Sequence, residues 1–143
     1  MTDEQQITEM LALWSERDAD KDADGFAALF TEDGAYISRR GVSRGREALR
    51  KNLADRTAAN PPDRHTMHLF ALPVIAVTGE TATAVAAYVG YGRIGDKPWE
   101  IMSIGRFHTK LVRRNGKWLF SEVENRSIGK AGGPATILHH PTV

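Results

Sequence analysis

Two histidines, His65 and His68, lie three residues apart in the stretch HTMHLF. On a helix, residues with this spacing share a face and can bind one metal ion together. On a strand they point to opposite sides of the sheet. The stretch HTMHLFALPVIAV is strand-like and runs into the turn TGE, which predicts a hairpin. We therefore predict that the two histidines lie on a strand, face opposite ways and do not share a metal ion.

Asp18 is the carboxylate that the sequence favours as a partner for a catalytic histidine. Ile7, Leu11, Trp14 and Asp18 are spaced four, three and four residues apart, which places them on one stripe of a helix. Asp20 is the alternative, although it would begin the following loop. A carboxylate that accepts a hydrogen bond from one ring N–H of a histidine makes the other ring nitrogen more basic. Such a pair could perform general acid–base chemistry near neutral pH.

The composition is that of one ordinary globular domain, which we predict to span residues 1–143. The net charge of +1 gives no reason to expect a nucleic-acid or membrane partner. The absence of cysteine excludes disulfides and thiolate metal sites. The stretch MTDEQQITEM lacks the features of a signal peptide, so we expect the protein in the cytoplasm.

The elements needed to position these residues come in two groups, helices first and strands after. We predict three helices before His65, and a curved antiparallel sheet from about residue 66 to residue 128. Asn115 and Gly116 form the strongest hairpin signal. Residues 129–143 are rich in glycine and proline and predict an irregular tail, in which His139 and His140 are too isolated to indicate a metal site.

The order of these elements resembles the SnoaL-like branch of the nuclear transport factor 2-like superfamily. The matching stretches are LALWSERDADKDADGFAALFTEDGAYI, GREALRKNL, HTMHLFALPVIAVTGETATAVAAY and GRFHTKLVRRNGKW. The resemblance implies an α+β fold, a cone-shaped α+β barrel in which three N-terminal helices pack on a strongly curved antiparallel sheet and enclose a pocket. The superfamily includes polyketide cyclases, scytalone dehydratase, ketosteroid isomerase and limonene epoxide hydrolase, so the fold alone does not define the reaction.

The resemblance also implies roles for individual residues. Dehydratase-like and cyclase-like members carry a pocket histidine five residues before a segment of the PVI type, and here that position is His68. Its usual partner is an aspartate at the end of the first helix, where this sequence has Ala19 between Asp18 and Asp20. Trp14 stands where members often carry a pocket tyrosine. We expect His68 and Asp18 to be the catalytic pair.

Further pocket candidates lie on other elements. A two-residue turn at Asn115 and Gly116 places several residues of the last hairpin on one face and Asn125 on the other. Either Tyr88 or Tyr91 would face His68, because a bulge at Pro73 could shift the register by one residue. We predict that the residues lining the pocket or binding the substrate are Trp14, Phe30, Tyr88, Phe107 and Glu122.

Two functions are compatible with these features. The first is a SnoaL-like small-molecule enzyme that performs cofactor-free general acid–base chemistry, of dehydratase, isomerase or cyclase type, on a small apolar carbonyl or hydroxyl compound. The second is a non-catalytic module of the same fold that binds a small ligand. In either case the small apolar residues of TATAVAAYVGY would leave an apolar outer face on the sheet, which predicts a homodimer through the sheet.

The one concentration of charge is a basic cluster of Arg39, Arg40, Arg44, Arg46, Arg50 and Lys51. We expect a solvated face there, and contact with an anion or a coenzyme tail is the alternative.

Overall fold

The computed structural model describes residues 1–130. Residues 131–143, which hold most of the predicted irregular tail and both His139 and His140, lie outside the described residues. The helices are α1 (Asp3–Ala19), α2 (Ala23–Ala28) and α3 (Arg46–Ala58). The strands are β1 (Phe30–Ser38), β2 (Gly41–Arg44), β3 (Arg64–Phe70), β4 (Val74–Thr78), β5 (Thr81–Ile94), β6 (Glu100–Arg114) and β7 (Lys117–Lys130).

Each helix begins where the sequence provides a start signal. Thr2 and Gln5 form a capping box at the start of α1, in which each side chain accepts a hydrogen bond from the other residue's backbone N–H. The Asp22 carboxylate accepts from the Gly25 N–H and caps α2. Helix α3 starts after Gly45 and ends before the two prolines that follow Asn60. The three predicted helices are confirmed.

The strands form one curved sheet in the order β2-β1-β7-β6-β5-β3, and β4 pairs with β5 beside β3. Strands β3 to β7 pair in antiparallel fashion, as predicted, but β1 pairs with β7 in parallel. The sheet is therefore mixed. It is also not a closed barrel, because β2 and β3 form its two ends and do not pair with each other. Strands β1 and β7 can run parallel because they are not consecutive. The segment from β2 to β6 lies between them, and the chain enters β7 in the same direction as β1.

Two β-bulges decide which side chains face the helices. The first bulge lies between β3 and β4, where Phe70 pairs with Tyr88 and Val74 pairs with Val85. Three residues, Ala71 to Pro73, therefore lie opposite only two residues of β5. In β7, Phe120 pairs with Leu111 and Glu122 pairs with Lys110, which leaves Ser121 as an extra residue. Beyond each bulge the alternation of inner and outer side chains is reversed.

The core lies between the helices and the inner face of the sheet. Its largest buried side chains are aromatic and come from both layers: Trp14, Phe26, Phe30, Phe107 and Phe120. No helix within residues 1–130 is long and apolar enough to cross a membrane.

Candidate active site

Helix α1 carries Asp18 into the protein at the end of its apolar stripe. The Asp18 side chain is only 3% exposed. Its Oδ1 accepts a hydrogen bond of 2.6 Å from Nη1 of Arg56, and its Oδ2 lies 3.6 Å from Nδ1 of His68. The second distance is longer than a hydrogen bond, but the two groups face each other.

His68 lies on the inner face of β3 and is enclosed by aromatic rings. Its ring centroid lies 5.2 Å from that of Trp14 and 5.5 Å from that of Tyr88. Burial lowers the pKa of His68 below its ordinary value; the Arg56 cation acts in the same direction, and the Asp18 carboxylate partly opposes both. His68 is therefore neutral at pH 7 and can accept a proton. His65 is exposed on the outer face of the same strand.

Arg56 is a site residue that the sequence analysis did not identify. Its Nε donates to the Asn52 side chain at 2.9 Å, and its guanidinium carbon lies 5.8 Å from the ring centroids of both Phe26 and Tyr36. Its Nη2 is buried and has no hydrogen-bond partner among residues 1–130. Arg56 thus holds the Asp18 carboxylate in place, and its Nη2 amino group is left without an acceptor among residues 1–130.

A chain of hydrogen bonds joins two buried tyrosines through Asn125. The Tyr88 hydroxyl donates to Asn125 Oδ1 at 2.7 Å, and Asn125 Nδ2 donates to the Tyr36 hydroxyl oxygen at 3.2 Å. Burial raises the pKa of both phenols, so both stay protonated at neutral pH. The Tyr36 O–H finds no acceptor within the described part of the chain. It is therefore a free donor.

Two small cavities meet at His68. One, of about 190 Å³, lies between the β1–β2 turn and the inner face of the sheet, and its wall includes Trp14, Tyr36, Arg40, Arg56, His68 and Asn125. The other, of about 120 Å³, is bordered by α3 and β3, and its wall includes Asp18, Arg40, Arg56, Arg64, Thr66 and His68. A larger groove of about 660 Å³ runs between α1 and β3 and also borders His68 and Asp20, but its walls are mostly apolar and include neither Asp18 nor Arg56. The side chains that could perform acid–base chemistry, including Asp18, Tyr36 and Arg56, line the two smaller cavities.

The predicted pocket residues separate into three groups. Trp14 is buried and forms a cavity wall. Tyr88 lies on the inner face with His68, and Tyr91 lies on the outer face, because the bulge before Val74 shifts the register. Phe30 and Phe107 are packed in the core and, like Tyr88, line neither small cavity, so the place of these three residues in the pocket stays a prediction.

Glu122 does not face the cavities, so its predicted place on the inner face is wrong. The Ser121 bulge turns Glu122 to the outer face, where it lies 3.7 Å from Lys110 Nζ. The same bulge brings Val123 and Asn125 to the inner face. Asn125, which an unbroken alternation would place outside, is therefore a site residue.

This arrangement could move a proton and hold a negatively charged oxygen. His68 provides a neutral base, Asp18 a carboxylate next to the base, and Tyr36 and Arg56 provide unused donors. Within residues 1–130 no group of three or more histidine, aspartate or glutamate side chains is placed to hold a metal ion.

Comparison with known proteins assigns the chain to a family. The family model of the SnoaL-like domain matches residues 1–124, so the chain belongs to the SnoaL-like family. A search of curated proteins gives no significant match.

Solved structures share the fold. A variant of Rv3472, a protein of unknown function from Mycobacterium tuberculosis, is 27% identical over 86% of this chain and 70% of that one, with a TM-score of 0.76. A nuclear transport factor 2-like protein with a cystatin-like fold from Novosphingobium aromaticivorans is 23% identical over 94% of this chain and 86% of that one, with a TM-score of 0.78. A candidate scytalone dehydratase from the same organism is 23% identical over 96% of each chain, with a TM-score of 0.75.

Proposed function

We propose that the protein is an enzyme that performs cofactor-free general acid–base chemistry on a small carbonyl or hydroxyl compound. The reaction would be of the dehydratase, isomerase or cyclase type. The observation that carries the proposal is a buried, neutral histidine that faces a carboxylate on one side and borders a cavity with an unused tyrosine hydroxyl. The likeness to a candidate scytalone dehydratase agrees with this class of reaction.

In this proposal His68 is the catalytic base. Its ring takes a proton from the carbon next to a substrate carbonyl, and the electron pair of the broken C–H bond moves onto the carbonyl oxygen. Asp18 stabilises the imidazolium that forms, because its carboxylate lies 3.6 Å from Nδ1. The Tyr36 O–H donates to the oxygen that becomes negative. His68 then returns the proton to another atom of the substrate, or to a departing hydroxyl group.

Proton abstraction can be tested without knowledge of the natural substrate. Small cyclic ketones and keto acids are incubated with the protein in D₂O, and loss of the α-proton signal is followed by NMR. We expect His68→Gln to slow this exchange by about 10² to 10⁴-fold, the usual contribution of a positioned acid–base group. The matched control is His65→Gln, which changes the same residue type on the outer face of the same strand. It should leave the rate within about twofold. Equal rates in wild type and His68→Gln would contradict the role of His68.

A binding module remains the second candidate, and one specific observation favours it. Asp18 forms its short contact with Arg56 rather than with His68, so the carboxylate is already paired. A protein that binds these ketones but exchanges none of their protons would be a binder of this kind.

We also propose that the protein is a homodimer formed through the outer face of the sheet. Apolar side chains, exposed on β3 and β6 and half-buried on β5, continue across these three neighbouring strands in two rows. Leu69 of β3, Val89 of β5 and Ile104 of β6 form one row. Met67, Tyr91 and Ile101 form the other. An apolar face without charges in its centre can pair with the same face of a second copy across a two-fold axis. The cytoplasmic location expected from the sequence stays a prediction.

A further inference from the structure

The walls of the two small cavities carry far more positive than negative charge. They include five cationic side chains and a single carboxylate, that of Asp18. The five cations are Lys21, Arg39, Arg40, Arg56 and Arg64. Asp18 is bound to Arg56. The positive charge of the other four is therefore not neutralised within the cavity walls.

These four cations also find no partner elsewhere in the described structure. None of Lys21, Arg39, Arg40 and Arg64 forms an ion pair with a carboxylate of residues 1–130. Residues 131–143 contain no aspartate or glutamate. No carboxylate of residues 1–130 therefore lies within ion-pair distance of these four cations.

The rest of the basic cluster behaves differently, although the sequence groups it with Arg39 and Arg40. Arg50 pairs with Asp24 and Lys51 pairs with Asp55. Arg46 donates to the backbone carbonyl of Phe30, and Arg44 donates to that of Asp33. Within this cluster only Arg39 and Arg40, the two exposed arginines of the β1–β2 turn, border the cavities, and their side chains have no acceptor among residues 1–130.

Buried donors point to the same conclusion. Nε of Arg64 and Nη2 of Arg56 are both buried without a hydrogen-bond partner among residues 1–130. A buried donor that stays unpaired costs free energy, and the cost is larger for a charged group. Arg64 lies on the same face of β3 as His68, and both border the smaller cavity. An acceptor in this space would satisfy these donors.

We propose that the pocket binds a small organic anion, whose carboxylate or phosphate oxygens accept hydrogen bonds from Arg40 and Arg64 while its carbon framework lies against Trp14 and His68. The proposal deepens the proposed function, because it names the class of molecule that the same pocket takes. Arg40 is the central residue, since it borders both cavities. The planar guanidinium group suits carboxylate and phosphate oxygens, which it can bind through two parallel N–H groups.

The test compares charged and neutral probes of similar shape on the full chain. The ¹⁵N-labelled protein is titrated with benzoate, phenyl phosphate and benzamide, and the shifts of backbone amide signals are followed by NMR. We expect benzoate or phenyl phosphate to saturate the signals around the cavities and to bind at least about tenfold more tightly than benzamide. The tighter of the two charged probes identifies the anionic group. Benzamide binding as tight as that of both charged probes would overturn the proposal.

Variants make the test specific to the site. Arg40→Gln and Arg64→Gln should each weaken binding of the charged probe at least about fivefold and leave benzamide binding unchanged. Arg50→Gln is the matched control, because Arg50 belongs to the same basic cluster but pairs with Asp24 away from the cavities. Wild-type affinity in both Arg40→Gln and Arg64→Gln would overturn the proposal.

The outcome is separate from that of the enzyme proposal. Anion binding together with no proton exchange by the wild type would reject the catalytic role of His68 and support the anionic ligand. Exchange on neutral ketones, with no preference for charged probes, would support the enzyme and reject the anionic ligand.

Discussion

The two faces of strand β3 carry the same residue type in opposite surroundings. His68, on the inner face, has a side chain only 16% exposed and lies between Trp14 and Tyr88 with the Asp18 carboxylate nearby. His65, on the outer face, is exposed. The neighbours of the two histidines along the strand follow the same division, because Thr66 borders a cavity while Met67 is exposed.

The comparison teaches that the helices, and not the residue type, make the site. Helix α1 brings Asp18 and Trp14 to the inner face, and α3 brings Arg56. Within residues 1–130 no helix packs on the outer face, where the exposed side chains of β3 and β6 include the apolar Met67, Leu69, Ile101 and Ile104. The inner face is thus suited to charge and proton transfer, and the outer face to association with another apolar surface.

The largest effect is expected from a charge on the outer face. Ile104 lies in the apolar row with Leu69 and Val89, and its side chain is 42% exposed. Ile104→Glu should weaken the proposed dimer at least about 100-fold, because the carboxylate would be buried without a partner at the interface. Sedimentation velocity over a range of concentrations measures the change.

The matched control is Val42→Glu, which places the same charge at an exposed apolar position on the far edge strand β2. It should leave the dimer intact. A wild type that sediments as a monomer at micromolar concentration, or a dimer that tolerates Ile104→Glu, would contradict the proposed interface.

The next effect concerns the charged pair on the inner face. Arg56→Met removes the partner of the buried Asp18 carboxylate and should lower the free energy of unfolding by about 3 kcal/mol. The estimate takes the low end of the usual range because the Arg56 side chain is 21% exposed. Adding Asp18→Asn to this variant should restore part of the loss, since the amide carries no charge. Urea-induced unfolding of the two single variants and the double variant measures the coupling.

Arg50→Met provides the comparison on the same helix. Arg50 pairs with Asp24 in solvent, where both side chains are largely exposed, so its loss should cost less than about 1 kcal/mol. Strictly additive effects of Arg56→Met and Asp18→Asn would show that the two side chains do not stabilise each other.

The sequence predicts those parts of the fold that depend on local signals. The helix caps at Thr2 and Asp22 and the turn at Asn115 and Gly116 are each defined by a few neighbouring residues. The stripe that ends at Asp18 is equally local, because its spacing alone places Asp18 on the buried side of α1. Arg56 carries the same signal, since Leu49, Leu53 and Arg56 are spaced four and three residues apart on α3. The basic and polar character of that helix concealed it.

The wrong predictions depend on contacts between strands. An alternation of faces counted from the Asn115–Gly116 turn holds as far as Phe120 and fails at Ser121, where one residue is inserted relative to β6. Because of that single insertion, Glu122 faces outward and Asn125 faces inward. No local signal in residues 121–125 indicates the insertion. A proline marked the other bulge in advance, at Pro73, because proline cannot donate a ladder hydrogen bond.

The smallest effect is a difference in pH dependence between the two histidines of β3. Because burial and Arg56 lower the pKa of His68, the folded protein binds a proton there less readily than the unfolded chain does. As the pH falls below about 6.5, the ordinary histidine pKa, the unfolded chain gains a proton that the folded protein does not, and stability decreases. His68→Gln removes this contribution and should lose less stability than the wild type between about pH 7.5 and pH 5.5. His65→Gln, which changes the same residue type on the exposed outer face, is the matched control. Urea-induced unfolding at several pH values measures the three slopes, and an unchanged slope in His68→Gln would mean that the inner face does not alter the protonation of His68.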